Sequence, residues 1–462
     1  MGGDIIITLG AVVPPSPPPP TQPVTIPLWG FDNARAIGGV ALIVIVAWAL
    51  GGLRRPPVRL MFAALGLQVA LVVLMFGAPP IRSALFSLTG VVRALESATR
   101  AGTSFVFGYL GGGAPPFLVT EPDNTLSLAF QALPLVLVIS GLSAVFWHWK
   151  VLQIVCAGFA AVFRRLLGLS GAASLGVAAN IFLGMVESPI LIRPYLASMS
   201  RSDLFTLMTA GMATVAGTVL VIYAVMLEPI LPGAAGHVFA ASIMNAPGAV
   251  LIARLMVPPD PGAPGAPGAR DDGQPLVLAE ENDGGPRHAS TMDALVTGVG
   301  DGLRLYLNII AMLLVFVALV ALVNGALAAA PEITGAPLSV ERIFGWALQP
   351  VTWMIGVPWD EAGAAGAVYG VKTVLNEFIA YQQLSSVGSF LSARTTLIMT
   401  YALCGFANFG ALGIMLAGLT TMAPTRRAEI VSLGMRSLAA GSLATLLTGA
   451  IIGALPASLF GV

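Results

Sequence analysis

The sequence predicts an all-α polytopic membrane protein, with about eight transmembrane helices and two re-entrant hairpins arranged as an inverted repeat. Three observations predict it. Hydrophobic residues make up 56% of the 462-residue chain and charged ones only 10%, against about 25% charged in an ordinary soluble domain. Apolar runs long enough to cross a ~30 Å hydrocarbon core recur along the chain, "GGVALIVIVAWALGGL" and "LNIIAMLLVFVALVALVNGAL" among them. Two further segments, one in each half, are apolar but interrupted by a glutamate and small or helix-breaking residues.

Residues 1–34 come first. They contain "PPSPPPPTQP" and no basic stretch ahead of an apolar run, so they read as an extended, polyproline-like tail rather than a cleavable signal. Spans are expected at 36–52, 58–78, 125–147, 204–229, 233–256, 303–326, 396–420 and 429–455. Within residues 35–174, mainly scaffold, "IRSALFSLTGVVRALESATR" (81–100) has apolar residues at helical spacing among Arg82, Arg93, Glu96 and Arg100. That is the pattern of an amphipathic interfacial helix, and residues 148–174 are a second candidate. Residues 175–256 hold the first hairpin and its broken helix. Residues 257–290, rich in Pro, Gly and acid, cannot bury a core and read as a disordered cytoplasmic linker. An interfacial helix and a scaffold span follow over 291–350, and the second hairpin, its broken helix and the last span over 351–462.

Basic residues in short loops set the orientation. "GGLRRPPVRL" follows the first span and "MAPTRRAE" precedes the last. With both clusters in the cytoplasm, an even number of spans puts both termini outside.

Several function classes are disfavoured. Formal net charge is zero, which gives no electrostatic case for nucleic acid. Cys156 and Cys404 lie in apolar stretches, not in a disulfide framework. His148, His237 and His288 lack ligand-spaced partners, so neither a transition-metal centre nor an enzyme's nucleophile–base pair is expected. "GAVYGVKT" (366–373) misses the phosphate-loop pattern because Val371 separates Gly370 from Lys372. An ATP-driven pump is therefore not expected.

The interrupted segments carry the positive argument. In "NIFLGMVESPILIRPYL" (180–196), Glu187 lies between Asn180 and two prolines, Pro189 and Pro194. An ionised Glu at the bilayer centre costs at least about 2.5–3.5 kcal/mol, and proline removes a backbone donor. Both belong at the tip of a hairpin reaching to mid-membrane, where a carboxylate accepts hydrogen bonds from a polar solute and freed backbone groups hold an ion. The alternative is a plain interfacial pair between Glu187 and Arg193. Thr214, in "GMATVAGTVL", follows Glu187 by 27 residues. In the second half, Glu377 of "VLNEFIAYQQL" is followed 31 residues later by Asn408 of "CGFANFGALG". Paired interruptions in two halves are the sequence pointer to a secondary transporter's site, and they favour alternating access over a channel.

"NIFLGMVESPILIRPYL", "LFTLMTAGMATVAGTVLVIYA", "LNEFIAY" and "CGFANFGALGI" together resemble, in order and spacing, the motifs of the concentrative nucleoside transporter family. The resemblance covers about residues 35–460. It implies a homotrimer in the bacterial inner membrane, with a lipid-embedded scaffold and a mobile transport domain containing both hairpins. It also implies import of a nucleoside-like solute with sodium, protons being the lesser expectation, and no other cofactor.

Position by position, the resemblance puts Glu377 and Asn408 on the ribose, with Ala411 where a serine is expected and Phe406 and Gln382 lining the pocket. On the base side Met185, Val186 and Glu187 stand where the family has Gln-Thr-Glu, and Val219 packs against the ring. Counting Ala411, three polar partners are lost, about 3 kcal/mol at roughly 1 each. That implies retuned base preference or a less polar head group. For sodium, the resemblance implies the Asn180 side chain, the Thr214 hydroxyl in place of serine, and the Leu183 and Val215 carbonyls. Asn180 also reads as a simple helix cap. A non-nucleoside solute on the same fold, or a binding-only homologue that has lost transport, are the rival readings.

Overall fold

The computed structural model describes residues 29–120, 127–259, 288–329, 332, 333, 335 and 337–460. Most of the expected N-terminal tail and of the 257–290 linker lies outside them. Among the described residues every regular element is helical. The first part of the chain forms α1 (Phe31–Leu50), α2 (Val58–Gly77), α3 (Pro79–Phe107), α4 (Leu135–His148) and α5 (Val151–Leu167). Next come short pieces, α6 (Gly171–Asn180), α7 (Glu187–Leu191) and α8 (Arg193–Leu196), then α9 (Arg201–Ala213), α10 (Gly217–Leu227) and α11 (Ala234–Met256). Beyond residues 260–287 follow α12 (Thr291–Leu327), α13 (Val340–Met354), α14 (Trp359–Val374), α15 (Glu377–Val387), α16 (Ala393–Leu403), α17 (Phe409–Met422) and α18 (Arg427–Ala454).

Local chemistry explains the boundaries. Helix starts carry a side chain that accepts from an otherwise unpaired N–H: Ser170 for α6, Ser200 for α9, Ser290 for α12, Ser339 for α13, Asn376 for α15, Ser392 for α16 and Asn408 for α17. Gly168, at φ +64, ends α5 in the left-handed conformation glycine adopts most readily.

Seven helical stretches among the described residues are long and apolar enough to cross a membrane: 31–50, 58–77, 128–148, 201–227, 234–256, 291–327 and 424–454. The eighth expected span, 396–420, is not one of them. It unwinds at 404–408, leaving α16 and α17 each shorter than the thickness of a hydrocarbon core. The 201–227 stretch breaks in the same way at 214–216, between α9 and α10. The two amphipathic segments form α3 and α5, which bury one stripe each: Leu85, Val92, Thr99 and Thr103 on α3, and Cys156, Ala160, Phe163 and Leu167 on α5.

The helix α11 is the axis of the molecule. Nearly all its residues are buried, against α18, α9, α2, α10 and α1. In contrast, α12 buries little beyond Ala294, Gly298, Gly302 and Tyr306. Gly298 and Gly302 lie against Ser140, Gly141 and Ala144 of α4, where a side chain would collide with Ser140. Small residues spaced in this way let membrane helices approach closely without a hydrophobic driving force.

Candidate functional site

In the first half, α6 ends at Asn180 and helix resumes only at Glu187. Asn180 is buried, and its Nδ2 donates to the Gly176 carbonyl at 3.0 Å. The same carbonyl accepts from Ser188 Oγ at 2.7 Å, which ties the returning α7 to α6. Among the described residues Asn180 Oδ1 has no hydrogen-bond partner despite its burial. A buried acceptor left alone costs about 1–3 kcal/mol, so this oxygen is one that a cation or water would satisfy. Beside it, Thr214 at the break of α9 directs its hydroxyl at the Asn180 and Ala210 carbonyls, both 2.9 Å away. Gly211 completes the joint, since a Cβ there would press on Met185 Cβ at 3.1 Å and lie 3.6 Å from Asn180 Oδ1.

The second half joins at Glu377, the first residue of α15, whose start is capped by Asn376. The buried Glu377 carboxylate accepts from Asn408 Nδ2 at 2.9 Å on one oxygen and from the Tyr223 hydroxyl at 2.7 Å on the other. Asn408 Oδ1 meanwhile accepts from Ala411 N at 2.7 Å, which fixes which way the amide points. Tyr223 belongs to α10, so a side chain of the first half completes the second half's acidic centre.

The two unwound segments cross each other. Phe406 N donates to Thr214 O at 3.3 Å, and Gly405 faces Ala213 O so closely that a Cβ would lie 2.6 Å from it. From α11, Ser242 Oγ lies 3.3 Å from Ile181 O and 3.4 Å from Val215 O, while Asn245 Nδ2 donates to Cys404 O. The carbonyls freed by unwinding therefore find partners on the central helix, as backbone away from water must.

The remaining sequence candidates fall around this crossing. Leu183 and Val186 lie in the turn before α7, with Val186 against Gly418 of α17. Val215 and Val219 are buried at and just after the first break, Ala411 is buried on α17, and Phe406 is half-buried in the second break. Glu187 is exposed, its carboxylate folded over Gly184. No ion pair joins it to Arg193 among the described residues. Gln382 is exposed on α15, five residues and about 140° of helical turn from Glu377.

Sequence reasoning missed Tyr223, Ser242, Asn245 and Lys372. Lys372 is fully buried, donating to Ala402 O at 2.9 Å and to Thr445 Oγ1 at 2.8 Å, and so ties α14 to α16 and α18. A lone lysine in an apolar segment was the available signal. The other three look like ordinary helix residues in sequence. Among the described residues no group of three or more His, Cys, Asp or Glu is placed to hold a metal ion.

Comparison with known proteins decides the family. Models of the Na+ dependent nucleoside transporter match at the N-terminus over residues 38–110 and at the C-terminus over 237–453, with a nucleoside-recognition "Gate" model over 129–230 between them. The nucleoside permease NupC of Helicobacter pylori is 32% identical across 92% of this chain and 98% of its own. The chain belongs to the Na+ dependent nucleoside transporter family. An uncharacterized transporter of Bacillus subtilis, YutK, is 37% identical over 92% of the chain and 98% of that protein. The solved structure of CNTnw in an inward-facing substrate-bound state superposes with a TM-score of 0.79 at 32% identity, covering 92% of this chain and 97% of that one. A CNTnw variant in an outward-facing state gives 0.80 at 32% identity, covering 92% and 98%. As a nucleoside transporter of helical membrane architecture, the protein is not an enzyme.

Proposed function

We propose that this transporter is a secondary active symporter that imports a nucleoside or nucleoside-like solute together with sodium by alternating access. The observation that carries the reading is the crossing itself. Asn180, whose side-chain oxygen has no partner among the described residues, accepts from the Thr214 hydroxyl through its main-chain carbonyl, and Thr214 is hydrogen-bonded through its backbone to Phe406, two residues from Asn408.

Sodium prefers hard oxygen ligands, and Asn180 Oδ1, Thr214 Oγ1 and the carbonyls of Leu183 and Val215 are the donors we assign to it. The solute's sugar is assigned to Glu377 and Asn408. An ionised carboxylate offers about four lone-pair positions, and Tyr223 and Asn408 take two, leaving about two for a vicinal diol. Charge-assisted bonds of this kind are roughly twice as strong as neutral ones. Met185, Val186, Glu187, Val219, Phe406 and Ala411 are assigned to the rest of the pocket. Met185 and Val186 present a thioether and a methyl group where polar partners would read a base edge, and Ala411 a methyl on the sugar side, which favours a solute with fewer polar demands.

Sodium at the first break would hold the hairpin tip against α9, and through Thr214 and Phe406 it would set the second break. Substrate must then tighten sodium by the factor with which sodium tightens substrate. The inward- and outward-facing forms of CNTnw support alternating access. We assign the hairpins and broken helices to a transport domain moving against a trimeric scaffold. The exposed apolar length of α12, including Leu303, Leu307, Leu314 and Leu322, suits lipid and neighbouring copies. A panel of uridine, cytidine, adenosine, inosine and thymidine, each added to purified protein in sodium or in choline, tests the proposal. Thermal stabilisation by at least one nucleoside, dependent on sodium, is expected. No stabilisation at millimolar concentration would refute the nucleoside assignment.

A further inference from the structure

Where the ends of α1 and α11 meet the start of α9 and the flank of α18, the surface holds a half-open cavity of about 360 Å³. That lies within the ~300–1,000 Å³ range of small-molecule sites. Arg54, Arg201 and Arg436 line it together with Gly51, Gly52 and Ser202, and no carboxylate does. None of these residues belongs to the transport site.

The charges around this cavity do not balance. The acid that reaches the cluster is Glu429, but its Oε2 is held by Arg426 at 2.6 and 2.9 Å, and Arg201 approaches only the other oxygen, at 3.5 Å. Arg436 donates through one nitrogen to the carbonyls of Leu50 at 3.2 Å and Met256 at 2.9 Å, which cap two helix ends but carry no net charge. The Arg54 side chain is exposed, and among the described residues its guanidinium makes no hydrogen bond or ion pair. Asp203, next to Ser202, is already neutralised by Arg254 at 2.5 Å. Among the described residues, Arg54, Arg201, Arg426 and Arg436 thus share a single carboxylate around an accessible cavity.

We propose that this cavity binds a phosphate group, carried by an anionic phospholipid or free in solution. Guanidinium forks match phosphate oxygens in pairs, and basic pockets between transmembrane helices are recurrent headgroup sites. Arg436, anchored through one nitrogen by its two carbonyls, offers its remaining N–H groups, and Arg54 and Arg201 supply further guanidinium donors.

The test uses the full-length protein. Native mass spectrometry compares retention of phosphatidylglycerol with that of phosphatidylcholine, whose ammonium group cancels the phosphate charge. Thermal shift with inorganic phosphate is measured alongside. The Arg54→Gln/Arg201→Gln double variant is set against Arg165→Gln, an exposed arginine of α5 outside the cavity. Retention of phosphatidylglycerol over phosphatidylcholine, reduced about tenfold in the double variant and unchanged in Arg165→Gln, is expected for a headgroup site. A phosphate-induced shift abolished by the double variant, without lipid preference, assigns the site to free phosphate and upholds the proposal. Absence of both effects, or a lipid preference that survives in a folded double variant, would overturn it.

Discussion

Asn408 holds Glu377 and its own helix at once: Nδ2 donates to the carboxylate at 2.9 Å while Oδ1 accepts from Ala411 N at 2.7 Å and caps α17. The amide cannot turn to serve a ligand without uncapping the helix, so the geometry of the second break is tied to the charge it faces. Asn408→Ala removes both bonds. Loss of the cap costs about 1 kcal/mol of stability, visible as a modest fall in melting temperature. Loss of the bond to the carboxylate, at about 1.5–3 kcal/mol, predicts a roughly 10- to 100-fold loss of substrate affinity by direct binding.

Tyr223→Phe leaves the ring in place and removes one donor to Glu377. Substrate affinity is expected to fall by about tenfold. Sodium affinity measured without substrate should stay unchanged, because Tyr223 makes no hydrogen bond to the Asn180–Thr214 joint.

Thr214→Val keeps the shape of the side chain and deletes the hydroxyl that links the Asn180 and Ala210 carbonyls. The sodium concentration for half-maximal uptake should rise about tenfold, and Thr214→Ser should restore it. If Thr214→Val transports with unchanged sodium dependence, the ion does not bind at this joint.

Restoring polarity tests the pocket's head side. Met185→Gln with Val186→Thr and Ala411→Ser should raise affinity for ordinary nucleosides by about fivefold or more per regained hydrogen bond. Competition binding across the five nucleosides would show it as a change in rank order.

Arg254 and Asp203 form a buried pair at 2.5 Å, flanked by Ser170 and Ser202. Breaking such a pair from one side costs about 3–5 kcal/mol because a charge stays buried alone. Arg254→Met should therefore be much less stable than the Arg254→Met/Asp203→Leu double variant when melting temperatures are compared.

The helical class and the two breaks were legible in the chain because both depend on local composition. Apolar runs of span length mark the helices, and "GMATVAGT" and "CGFAN" place small and polar residues where the structure unwinds. The cap Asn408 combines a local role with a tertiary one, so its position could be read but not both duties. Tyr223, Ser242 and Asn245 were hidden because their roles come from segments far away in sequence: Tyr223 serves Glu377, 154 residues on, and Asn245 serves Cys404, 159 residues on.

Sodium-driven uptake by purified protein in sealed liposomes tests the central claim most directly. Radiolabelled nucleoside is offered with an inward sodium gradient, an equal potassium gradient, or no gradient, for the wild type and for Glu377→Gln. The account predicts accumulation above equilibrium only with the sodium gradient, and none for Glu377→Gln. Uptake that is equal under sodium and potassium, or undiminished by Glu377→Gln, would contradict it.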